Sequence, residues 1–211
     1  MEIIRLGHST LLVETAGTRV LLDPGGFTDG WEEVEGLDAV VVTHRHADHF
    51  DLSRIPALLQ RNPGVRLLLE PGTARESGLE QAEAFGAGQV ETLGGLIVEA
   101  VGGEHAVIHR DLPRIGNIGV VLAAEGEPRL FHPGDSLAEV PPGIDLMAVP
   151  AYGPWAALRE TIDWARAVGA PTSFFIHDGL LNDRGRRAIR DRITDMVDTD
   201  LRPWTQHVLR Y

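Results

Sequence analysis

Six consecutive residues, His44-Arg45-His46-Ala47-Asp48-His49, place four metal-binding side chains directly behind the apolar run Ala39-Val40-Val41-Val42-Thr43. A valine run of this kind is the pattern of a strand buried on both faces. Sheets of α/β proteins carry their sites where such strands end. His44 and His46, two positions apart, can converge on one cation as the chain leaves the strand. Asp48 and His49 continue the turn and can face a second cation, roughly 3.5–4 Å away as in two-metal sites. Nitrogen and carboxylate donors suit zinc, manganese or ferrous iron. The competing reading is a surface loop rich in histidine by chance. With 9 histidines in 211 residues, three of them in six positions beside an aspartate lie far above random expectation.

Composition narrows the chemistry further. There is no cysteine, which excludes thiolate nucleophiles, disulfides and iron–sulfur clusters. All 19 basic residues are arginine, so a Schiff-base lysine and the P-loop lysine are excluded too. The net charge of −12 disfavours a nucleic-acid partner. The densest basic stretch, Arg184 to Arg192, is interleaved with Asp183, Asp191 and Asp195, and predicts a solvated helix face with (i, i+4) ion pairs. No apolar run approaches the roughly 20 residues of a membrane span. Residues 1–8 lack the basic and apolar blocks of a secretory leader. The expectation is a cytoplasmic protein with a small-molecule substrate and no membrane partner; oligomeric state is not legible.

Along the chain, strand-like runs cover residues 3–6, 10–14, 19–22, 39–43 and 65–69, with a short helix through Leu59 capped by Asp51 or Ser53 and a second helix over 76–85. The same grammar returns later. Strands are predicted over 90–93, 96–101, 119–124, 129–131, 146–149 and 172–176, with helices over 155–168 and 185–197. Two similar halves of strands and helices predict an α/β fold, a four-layer αββα sandwich, as one domain over residues 1–211.

The histidine segment resembles the central signature of the metallo-β-lactamase-fold superfamily, His-x-His-x-Asp-His after a buried strand, and further markers follow in order. Asp23 lies in Leu-Leu-Asp-Pro-Gly, His105 in Gly-Gly-Glu-His, Asp135 in His-Pro-Gly-Asp-Ser, and His177 in Phe-Ile-His-Asp. The resemblance implies two divalent metal ions, zinc first among the choices. One would be held by His44, His46 and His105, the other by Asp48, His49 and His177, with Asp135 bridging and Asp23 orienting a ligating imidazole. It also implies a metal-dependent hydrolase acting on a lactone, ester or phosphoester, with Asp48 and His8 as catalytic groups. His8, in Leu-Gly-His-Ser-Thr, is similar to the Gly-His element of the branch that includes ascorbate-6-phosphate lactonase. A diiron oxidoreductase on the same ligands, or a metal-binding module without turnover, are the alternatives.

Several residues carry two readings. His109 competes with His105, but His105 directly follows the strand end and the Gly102-Gly103 turn. His132 is expected to support Asp135 by hydrogen bonding, and His207 to be structural. Tyr152 and Trp155 either wall a substrate pocket or, for Trp155, pack in the core. Arg110 and Arg114 either meet a substrate anion or are plain surface charge. Neither Ser9 nor Ser136 lies in a Gly-x-Ser-x-Gly elbow, which leaves metal-activated water as the nucleophile.

Overall fold

In the computed structural model, which describes Met1 to Tyr211, the chain opens as an antiparallel meander of β1 (Glu2–Gly7), β2 (Thr10–Thr15) and β3 (Thr18–Leu22). Pairing then turns parallel through β4 (Ala39–Val42), β5 (Arg66–Leu69) and β6 (Ala82–Ala84). Parallel neighbours need crossovers, which carry α1 (Ile55–Arg61) and α2 (Pro71–Ser77). The second sheet repeats this order. Strands β7 (Val90–Leu93), β8 (Leu96–Gly102), β9 (Ile118–Ala124) and β10 (Leu130–His132) pair antiparallel. Parallel pairing follows in β11 (Leu146–Pro150), β12 (Thr172–Ile176) and β13 (Asp200–Leu201), with α3 (Leu158–Val168) and α4 (Asp183–Met196) in the crossovers. Finally β14 (Val208–Arg210) returns to pair with β1, so each sheet has seven strands.

Alternation along the strands makes the layers. In β4, Ala39 and Val41 face a core shared by the two sheets, while Val40 and Val42 face outward under α1, and all four are fully buried. The shared core takes Leu22, Val98, Val120, Ala148 and Phe174 from strands of both sheets. On the far side Phe131, Met147, Val149 and Phe175 pack against Ile162, Ala165, Ile189 and Ile193 of α3 and α4. The result is the four-layer αββα sandwich. Each fully buried aliphatic or aromatic side chain in it stabilises the fold by about 1.5–3 kcal/mol. No helix is long and apolar enough to cross a membrane.

The helix expected over 76–85 is instead α2 followed by β6. The Glu70 carboxylate accepts the N–H groups of Gly72 and Thr73, and Pro71 opens the helix, so it starts early. Gly78, at φ 67°, ends it. Residues 82–84 then pair with 67–69, a tertiary contact that overrides helical composition. Asp51 accepts from Ser53 and Arg54 in the turn before α1 but does not cap that helix. The ion pairs within α4 are the adjacent Arg190 and Asp191 and the (i, i+3) pairs of Asp183 with Arg186 and Arg192 with Asp195, in place of the expected (i, i+4) spacing.

Candidate metal centre

Every sequence marker leaves the end of a strand on one rim of the sandwich. Asp23 follows β3, the segment 44–49 follows β4, His105 follows β8, Asp135 follows β10 and His177 follows β12. Three of the four non-glycine residues at positive φ lie here: His8 at 43°, Asp23 at 45° and His177 at 57°. Such conformations cost of order 1–3 kcal/mol each and persist where surrounding structure enforces them. Gly25 is required by close approach, because a Cβ there would lie 1.7 Å from the Asp48 carbonyl oxygen.

The donors form two groups. One comprises His44, His46, His105 and Asp135, the other His8, Asp48, His49 and His177. Asp135 stands between them. Its Oδ2 lies 3.4 Å from His105 Nε2 and 3.8 Å from His44 Nε2, and its Oδ1 lies 3.0 Å from His49 Nε2 and 3.2 Å from His177 Nε2. His44 Nε2 and His46 Nδ1 are 3.1 Å apart within the first group.

Partners on the far nitrogens fix the tautomers. His105 Nδ1 donates to the Ala106 carbonyl at 2.6 Å, and His177 Nδ1 to the Tyr152 carbonyl. His49 Nδ1 meets Asp23 Oδ2 at 2.6 Å. Thr43 Oγ1 donates to Asp23 at 2.8 Å and therefore accepts from His44 Nδ1 at 3.0 Å. Asp23 thus holds His49 directly and His44 through Thr43, the outer-shell arrangement that orients metal-binding imidazoles. For His44, His105 and His177 Nε2 is left as a lone pair, whereas His49 Nε2 faces Asp135 Oδ1 at 3.0 Å. His8 is the opposite case. Its Nδ1 accepts the Gly179 N–H at 3.1 Å, so the ring proton sits on Nε2 and points at Asp48 Oδ2, 3.1 Å away. His8 lies beside the second group as a hydrogen-bond donor and not as a free ligand.

His105 Nε2, His177 Nε2 and Asp135 Oδ1 are buried without a hydrogen-bond partner. Unpartnered buried polar atoms are costly, and here they converge with deprotonated nitrogens and carboxylates. That donor set fits one divalent cation per group.

Electrostatics agrees with the geometry. Burial, helped by His49, holds the His44 imidazole well below its ordinary range, and burial with His105 lowers His46. Asp135 would be raised by burial, but His49 and His44 outweigh that and hold it well below the carboxylate range. Burial also opposes ionisation of Asp48, yet the hydrogen bond from His8 and the nearby His49 bring it down to about 2. His49 alone goes up: burial lowers it, but Asp135 and Asp23 on its two nitrogens prevail.

His109 belongs to neither group; its side chain is exposed and accepts from the Asp111 N–H. Arg114 donates to the His105 carbonyl and to Glu104, which occupies it in shaping the loop, and Arg110 is exposed. His132 does not reach the Asp135 carboxylate: its ring bonds the Ser9 carbonyl and accepts from the Gly134 N–H. That supporting role falls to Asn117, whose Oδ1 accepts the Asp135 N–H at 2.9 Å while its Nδ2 donates to the Pro133 carbonyl. Asn117 and Thr43 escape sequence reading, although Thr43 directly precedes the histidine segment. His207 lies in the loop before β14, where its carbonyl accepts the Arg5 N–H. A cleft of about 460 Å³ opens on His46 and His105, walled by Val107, Ile108, Leu112 and Ile115. A wider one, about 790 Å³, opens on His8 beneath α4.

A family model described as a beta-lactamase superfamily domain matches residues 2–172. Protein Rv0786c of Mycobacterium tuberculosis is 40% identical over 201 residues, covering 95% of this chain and 94% of that protein. A UPF0173 metal-dependent hydrolase of Aeropyrum pernix is 31% identical over 153 residues, 62% of this chain and 60% of its own length. Among solved structures, the metallo hydrolase Igni18 of Ignicoccus hospitalis aligns over 100% of this chain and 98% of its own, with a TM-score of 0.75 and 15% identity, a likeness of fold. The histidine segment, Asp23, His105 and Asp135 all fall inside the matched region, and the chain belongs to the β-lactamase superfamily, in its metallo-β-lactamase fold.

Proposed function

We propose that the protein is a dinuclear metal-dependent hydrolase acting on a small lactone, ester or phosphoester. In this reading His44, His46 and His105 would hold one divalent cation and Asp48, His49 and His177 the second, with Asp135 shared between them. The observation that carries it is the convergence of buried donor atoms without partners, His105 Nε2, His177 Nε2 and Asp135 Oδ1, on two adjoining groups. Zinc is the proposed occupant, and the same nitrogen and oxygen donors accept manganese or ferrous iron. When bound, the cations supply Lewis acidity and bring the pKa of water towards about 7.

The chain's own groups do the rest. Asp48 keeps 21% of its side chain accessible and stays ionised, so its carboxylate can orient an attacking water and take up the proton released. His8 Nε2–H, 3.1 Å from Asp48 Oδ2, holds that carboxylate in place, and Asp48 passes the proton it has taken up on to the leaving group. Covalent routes lack support. Ser9 Oγ is 3.5 Å from a His49 nitrogen that this reading gives to the metal, and Ser136 Oγ accepts from the Ala138 N–H. The cleft at His46 and His105 has the size of small-molecule sites.

The test is elemental analysis of protein purified without chelator, joined to a panel of lactone, phosphodiester and thioester substrates under zinc, manganese and iron. Two equivalents of metal are expected, with hydrolysis that disappears on chelation and returns with metal. A chain that binds no metal, or that hydrolyses equally well after chelation, would sink the proposal. Oxygen consumption with iron in place of hydrolysis would move it to the oxidoreductase class.

A further inference from the structure

One short segment after β11 touches both groups of donors. The Tyr152 carbonyl accepts from His177 Nδ1, and three residues later the Trp155 indole N–H donates to Asp135 Oδ2 at 2.8 Å. Trp155 is 8% exposed and Asp135 2%. The indole stands edge-on to His105 on one side and His177 on the other, with ring centroids at 6.1 and 5.8 Å. The segment is folded around this ring: Gly153 bridges to Ala156, and a Cβ on Gly153 would lie 2.5 Å from both Trp155 Cε2 and Nε1.

The two oxygens of Asp135 are therefore not equivalent. Oδ1 faces only the imidazoles of His49 and His177, whereas Oδ2, which faces His44 and His105, also accepts the indole N–H. A carboxylate can rotate about its Cβ–Cγ bond and present both oxygens to one cation. An indole donor on one oxygen opposes that rotation and keeps one oxygen turned to each group. Buried ligand carboxylates are normally held this way, and losing such a partner costs about 10–100-fold in metal affinity or activity.

We infer that Trp155 is the positioning residue that keeps Asp135 shared between the two donor groups. Its nitrogen, and not merely its bulk, is what counts. The inference rests on the dinuclear reading above, and its test separates the two.

Trp155→Phe keeps an aromatic ring between His105 and His177 and removes only the donor. Cobalt(II) titration, followed by visible absorption, should show two ions taken up by the wild-type chain and the weaker of the two bound about 10-fold or more less tightly by W155F. Gly153→Ala keeps the tryptophan but pushes its ring off Asp135, and should give the same loss. The metal-free wild-type chain offers an independent readout. Of the indole N–H groups, those of Trp31 and Trp164 bond backbone carbonyls and that of Trp204 has no partner, so Trp155 alone donates to a carboxylate. Its signal in a nitrogen–proton correlation spectrum, identified by its absence in W155F, should move in Asp135→Asn and on adding zinc. Thermal melting of both variants shows whether the fold survives; a collapse of either leaves the indole signal to decide. Two bound ions in the wild type with unchanged affinities in W155F and G153A, or an indole signal indifferent to D135N and zinc, would overturn the role of Trp155 alone. A wild-type chain that binds no cobalt would overturn the dinuclear reading and this role together.

Discussion

The two donor groups share one carboxylate but differ in nearly everything else. The first is three imidazoles, with His46 partly open to solvent beside an apolar cleft. The second has two imidazoles and the Asp48 carboxylate, with the His177 N–H donating to the His8 carbonyl and Asp23 gripping His49 directly. In the first, neighbouring rings are driven towards the neutral form by burial and by one another. In the second, carboxylates on either side of His49 drive it towards the charged form. The lesson is that the same strand-end rim can present one group already prepared as lone pairs and another in which a proton holds the place of a cation.

Asp135→Ala should have the largest effect, because it removes the only group reaching both sides. Bound metal should fall from two equivalents to one or none, and hydrolysis by more than about a hundredfold, since loss of a ligand exceeds the usual effect of losing an outer-shell partner. Elemental analysis that still finds two ions would break the view of Asp135 as the shared element.

His105→Ala should act on one side only. One equivalent of metal should be lost and the ion in the Asp48, His49 and His177 group kept, whereas His109→Ala should leave metal content at two. The reverse pattern would show that the loop from 104 to 116 closes over the site differently when metal is bound. Asp23→Asn comes next. Because Asp23 reaches His49 directly and His44 through Thr43, both affinities should weaken, each by about 10–100-fold. Weakening of one ion only, read by cobalt titration, would show that the Thr43 relay does not matter.

Much of this site is legible in the chain because its donors follow strand ends and one cluster is contiguous. His44, His46, Asp48 and His49 need no tertiary information beyond the valine run ahead of them, and Asp135 and His177 sit in short motifs of their own. What is not legible is set by contacts between distant segments. The Gly179 N–H, which makes His8 a donor, lies 171 positions away in sequence. Asn117 clamps the Asp135 turn from 18 positions away, and the indole of Trp155 reads as core packing until its nitrogen is seen on a carboxylate. The fold shows the same division. Alternation and apolar runs reveal the strands, but the helix over 76–85 is misread, because only the Glu70 cap and the pairing of residues 82–84 with 67–69 decide that segment.

The smallest effect sharpens the contrast most, and it concerns protons released on metal binding to the metal-free chain. His44 and His46 lie below the ordinary imidazole pKa, so at pH 7 they are neutral and bind a cation without giving up a proton. His49 lies well above it and is protonated at pH 7; its Nε2 can become a ligand only after that proton leaves. Asp48, at about 2, is ionised throughout and contributes none. His49 should therefore give up about one proton at neutral pH as the second group fills, whereas His44 and His46 give up none as the first fills. The affinity of the second group should rise with pH until His49 titrates, while the His44 and His46 contribution to the first changes little above pH 7, so the ratio of the second affinity to the first rises as solution becomes more alkaline. Titration calorimetry with zinc in buffers of different ionisation enthalpy counts these protons. Equal release from both sites, or a second-site affinity flat between pH 6 and 8, would show that His49 is neutral in the metal-free chain and that the two carboxylates do not hold a proton there.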